Sequence, residues 1–90
     1  MSIMVQVPGS MKKWFNNDSE PSCSGNTIRE CLDSLESQYP GVKKKLLDDQ
    51  GQLTSIVVFV NGDNIFHLNG LDTEVGPDAN ISMIPLVAGG

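Results

Sequence analysis

The stretch TIRECLDSLESQY, residues 27–39, restricts the possible folds more than any other part of this chain. Thr27 stands three residues before Glu30, the spacing of a capping box, and Ile28, Cys31, Leu32, Leu35 and Tyr39 then fall on one stripe of a 3.6-residue period. This predicts one amphipathic helix, closed by Pro40 and Gly41. Its apolar stripe has to be buried, and no second helix of comparable strength exists to bury it. Val42, Leu46 and Leu47 suggest only one further helical turn, with Lys43, Lys44 and Lys45 on its wet side or against an acidic partner.

The remaining apolar residues follow a period of two. Ile3, Val5 and Val7 alternate with Met4 and Gln6, which predicts a half-buried strand ended by Pro8 and Gly9. Residues 10–24 read as loop, with a short extended piece near residues 19–23. The run LTSIVVFV, residues 53–60, is rich in β-branched side chains and leads into Asn61-Gly62, a strong hairpin signal. Residues 65–68 are then expected as a short return strand, and residues 80–86 as the last strand, with Ile81 and Met83 inward. The order strand, strand, helix, strand, strand, strand places one helix across one face of a mixed sheet of four to five strands, an α+β domain. A right-handed crossover through the helix sets the first strand parallel to a later one, most naturally the last, at the sheet centre. This is the β-grasp, or ubiquitin-like, arrangement.

Size and charge narrow the function. With 90 residues there is one modest core and no room for a catalytic lobe, and a 39% apolar content argues against disorder. A net charge of -5 opposes binding to nucleic acid or to an anionic membrane surface. No apolar run is long enough to span a bilayer and the start has no signal-peptide pattern, so a cytoplasmic protein is expected. Cys23, Cys31 and the single His67 offer no usual metal spacing, so no metal site and no bound cofactor are expected. Two inert thiols are the expected state of the cysteines, with a regulatory disulfide as the other possibility. Phe66 and His67 read as structural.

The ending IPLVAGG is the feature that folding alone does not account for. Glycine loses the most entropy on ordering and has nothing to pack, so Gly89 and Gly90 contribute almost no stability. Together with GNTIRECLDSLESQYPGV, VFVNGDNI, GLDTEV and ISMIPLVAGG, this ending resembles the MoaD/ThiS family of sulfur carrier proteins. The helix exit and the long segment before the helix look most like the carrier of thiocarboxylate-dependent cysteine biosynthesis. Carriers for molybdopterin, thiamine and tRNA thiolation share the same scaffold. Where the family usually has Gly-Asp before the last strand, this chain has Asp78-Ala79.

The resemblance implies a β-grasp domain over residues 1–85 and a flexible tail over residues 86–90. In that scheme Gly90 is the attachment point. An E1-like enzyme uses ATP to form an acyl adenylate there, sulfur replaces AMP, and the resulting thiocarboxylate serves a sulfur-accepting synthase. The small protein is then a cosubstrate rather than an enzyme, and a monomer when free. Leu86, Val87, Ala88 and Gly89 are the residues an active-site channel would read, with side chains small towards the end. The sheet face away from the helix is expected to dock the activating enzyme through Phe59, Ile84, Met4 and Val57. The competing arrangement has Trp14 and Phe15 folding back over that face. Two other functions fit the same residues: a modifier joined through Gly90 to lysines of other proteins, and a noncovalent binding module whose tail is incidental.

Overall fold

The structure is a computed structural model that describes residues 2–18 and 20–86. Its main helix, α1 (Ile28–Gln38), begins where the capping residues put it. The Glu30 N–H donates to Thr27 Oγ1 at 3.2 Å, and the Glu30 carboxylate in turn accepts from the Asn26 N–H at 2.7 Å. The return bond therefore reaches one residue further back than in the standard box. Ile28, Cys31, Leu32 and Leu35 are buried; Tyr39 is the C-cap and is half-buried. A short helix, α2 (Val42–Leu46), follows and buries Val42 and Leu46.

Five strands form one sheet: β1 (Ile3–Gln6), β2 (Ser22–Cys23), β3 (Ile56–Val60), β4 (Asp63–Asn64) and β5 (Ile81–Pro85), in the order β2-β1-β5-β3-β4. β5 is central, parallel to β1 through Val5↔Ile81 and Gln6↔Ser82, and antiparallel to β3 over five pairs from Ile56↔Pro85 to Val60↔Ile81. The helix-facing residues Ile3, Val5, Ile56, Val58, Val60, Ile81 and Met83 are all buried, as alternation requires.

Three expectations are corrected. The third strand starts at Ile56 rather than residue 53, because Ser55 adopts a left-handed φ of 64° and Leu53 bridges Leu47 instead. The return strand is Asp63–Asn64, not residues 65–68. Asn61 and Gly62 both have positive φ, 52° and 87°, the requirement of a two-residue type I′ turn, so pairing resumes at once. The Asn64 side chain then accepts the Phe66 N–H at 2.9 Å and caps a 3₁₀ turn over Ile65–His67, which ends the strand. Finally, Gly9–Phe15 is a 3₁₀ helix rather than open loop, and it buries Met11 and Phe15 completely. Phe15 meets Tyr39 edge-on at 5.3 Å between ring centroids, while Trp14 lies under Lys45. Both aromatics are therefore on the helical side, and the arrangement that covers the open sheet face with them does not occur.

Candidate functional site

β5 carries the chain out of the sheet. Its ladder to β3 ends with the Leu86 N–H donating to the Ser55 carbonyl at 2.8 Å, and the Leu86 side chain is already 57% exposed. Pro85, half-buried, is the last strand residue, where a fixed φ and a missing N–H suit the end of pairing. Val87, Ala88, Gly89 and Gly90 lie outside the described residues.

The open face can be laid out row by row from the register. Val57 and Ile84 are directly opposite one another, Phe59 faces Ser82, and Ser82 stands beside Gln6, to which its hydroxyl donates at 3.3 Å. Ile84 is 49% exposed, and Val57 and Phe59 are half-buried beside it. These three side chains form one apolar patch at the tail end of the face. Met4 is equally exposed at 50%, but the parallel register aligns it with Asn80 and pairs it with Ser22. Four residues of strand separate that row from Ile84, about 13 Å. Gln6 and Ser82 fill the interval, so the structure brings together Val57, Phe59 and Ile84 but leaves Met4 apart.

Phe66, read from sequence as structural, is the most exposed large apolar side chain among the described residues at 82%. It stands at the rim of a groove of about 350 Å³, lined also by Leu53, Val57, Ile65, Leu71 and Leu86. The sequence signal was the Asn64-x-Phe66 spacing, since an Asn cap directly after a tight turn forces the next residue out of strand geometry.

Elsewhere the chemistry is sparse. Cys23 and Cys31 are free and buried. The neighbouring Cys31 thiol and burial together push the Cys23 thiol above its ordinary range. Glu36 accepts from the Gly41 and Lys43 N–H groups at 3.0 and 2.9 Å, and these two donors hold its carboxyl below the usual glutamate range. Lys43 also pairs with Asp33. Among the described residues no group of three or more His, Cys, Asp or Glu could hold a metal ion, and no helix is long and apolar enough to cross a membrane.

A five-stranded mixed sheet grasping one helix, with parallel first and last strands at its centre and an apolar patch where the last strand leaves, defines a ubiquitin-like β-grasp protein. The family model described as ThiS family matches residues 5–90, and the chain belongs to that family. It is 28% identical over 93 residues to the sulfur carrier protein CysO of Mycobacterium tuberculosis, with both chains covered in full. Among solved structures it is similar to one in the crystal structure of the Amycolatopsis orientalis BexX/CysO complex. There the identity is 28%, the TM-score is 0.89, and 98% of this chain and 99% of that one are covered. The solution structure of small archaeal modifier protein 1 from Methanosarcina acetivorans is also similar, at 29% identity and a TM-score of 0.80, covering 99% and 96%.

Proposed function

We propose that this chain is a sulfur carrier that works through the carboxylate of Gly90. The observation that carries the reading is the family match running through the tail to Gly90, on a domain whose central strand exits beside an apolar patch. A carboxylate resists attack because its charge and resonance both oppose a nucleophile. Activation solves this: an E1-like enzyme joins the Gly90 oxygen to the α-phosphate of ATP, and pyrophosphate leaves. Sulfide then attacks the acyl carbon and AMP leaves, giving a thiocarboxylate and a proton. A persulfide donor gives an acyl disulfide first, and a thiol must reduce its S–S bond. The product sulfur is nucleophilic, and a sulfur-accepting synthase consumes it.

In this scheme the domain supplies no acid, base or metal. It is a cosubstrate, and ATP belongs to the partner. Residues 1–85 act as the grip and residues 86–90 as the working tail. Gly89 and Gly90 let extended backbone pass a narrow channel that Leu86 and Val87 only approach and Ala88 enters with a single methyl. Val57, Phe59 and Ile84 form the docking patch for the activating enzyme. The likeness to CysO favours cysteine biosynthesis as the destination of the sulfur over molybdopterin, thiamine or thiolated tRNA. The test is incubation with the E1-like enzyme of the same genome, ATP and sulfide. An intact-mass gain of about 16 Da supports the reading, and an unchanged mass overturns it.

The likeness to an archaeal modifier protein favours one second reading, in which a lysine amine rather than sulfur attacks the same adenylate. Gly-Gly remnants on lysines of other proteins would mark that fate.

A further inference from the structure

The exposure of Phe66 is built into the fold. Asn64 caps the 3₁₀ turn that holds the Phe66 backbone, and Ile65 beneath it is 2% exposed and anchored in the core, so the ring is aimed outward by ordered structure on both sides. The groove it borders runs to Leu86, the root of the tail, and shares Val57 with the open-face patch. A volume near 350 Å³ is ample for a side chain of leucine or phenylalanine size.

Charge says what surrounds that side chain. All Lys and Arg of this protein lie in residues 12–45. From residue 46 onward the charged side chains are Asp48, Asp49, Asp63, Asp72, Glu74 and Asp78, every one of them exposed. Asp63 adjoins Asn64 and Asp72 adjoins Leu71, both of which line the groove. Arg29 holds Asp72 at 3.1 Å, whereas Asp63 makes no ion pair among the described residues. An apolar groove with the carboxylate of Asp63 at its edge fits an apolar side chain that has a cation beside it.

We propose that the Phe66 groove is a second anchor point for a partner protein, taking an apolar side chain with a Lys or Arg beside it, opposite Asp63, on the surface of the activating enzyme. The groove opens beside the tail root, so whichever protein draws in the tail comes against it. The identity of the partner rests on the sulfur-carrier reading; the groove and its chemistry do not.

Direct binding tests it. Calorimetric titration of the full chain into the E1-like enzyme of the same genome, without ATP, compares the wild type with Phe66→Ala and Phe66→Leu. An exposed ring can be removed without unfolding, and an unchanged thermal midpoint verifies this. Phe66→Ala is expected to raise Kd about tenfold, with Phe66→Leu in between, and Kd is expected to rise with salt. Equal Kd for all three proteins, or no binding by the wild type, overturns the proposal. So does a dimer of this chain that Phe66→Ala dissociates while Kd for the enzyme is unchanged, since the groove would then serve a second copy. The mass assay reads the sulfur chemistry separately. Thiocarboxylate formation with equal Kd values leaves the function standing and removes the groove, and the reverse result does the opposite.

Discussion

Gly25 sits where the segment after β2 presses on the first turn of α1. Its φ is +145°, and a Cβ built there would lie 2.6 Å from the Cβ of Glu30 and 3.1 Å from the Cys31 nitrogen. The obstacle is largely helix backbone, which cannot give way. Gly25→Ala is expected to cost about 1–3 kcal/mol in urea unfolding, with the cap at Thr27 loosened. Glu36 offers a pH-dependent test at the same scale. Its carboxyl is held below the usual glutamate range by the Gly41 and Lys43 N–H groups, so the ionised form is the one the native state favours. The stabilisation is therefore complete above the ordinary glutamate range and is lost as pH falls through the lower, folded value. Unfolding measured across a pH series should show wild type more stable than Glu36→Gln at neutral pH, with the gap closing in acid. Neither constraint was legible beforehand, because each depends on which backbone atoms come close in the folded chain. The placement of Phe66 in a return strand failed for a related reason: sequence gives a residue's type but not which side of a turn it leaves from.

Strand β3 alternates between the buried and the open face of the sheet within five residues. Val58 is fully buried against the helix side and Val57 stands half-buried on the open face. Val58→Ala should lower stability by about 2 kcal/mol and leave enzyme binding intact, while Val57→Ser should leave the thermal midpoint nearly unchanged and weaken binding. If both variants lost only stability, the open face would have no docking role. The elements themselves were largely readable. Period 3.6 over residues 28–35, β-branched residues over 56–60 and Asn61-Gly62 are local signals that the tertiary structure left in place. The Gly9–Phe15 3₁₀ helix was not readable, since a run with Met11 and Phe15 among lysines has no period of its own and is ordered by contact with Tyr39 and α2. The exposed patch was half readable. Alternation told which residues face outward, but only the parallel register of β1 on β5 revealed that Met4 lies a strand's length from Ile84.

At the scale of the whole molecule the chain divides by sign, with all cations before residue 46 and carboxylates alone after it. The division is one of sequence, since Arg29 of the first half pairs with Asp72 of the second. The task proposed for the domain is to hold the activating enzyme while the reaction takes place beyond the described residues, at Gly90. The most direct measurement is tandem mass spectrometry of the chain after reaction with its activating enzyme, ATP and sulfide. A gain of about 16 Da is expected on every fragment that contains Gly90 and on none that lacks it. Sulfur located on Cys23 or Cys31, with an unmodified Gly90, would contradict it.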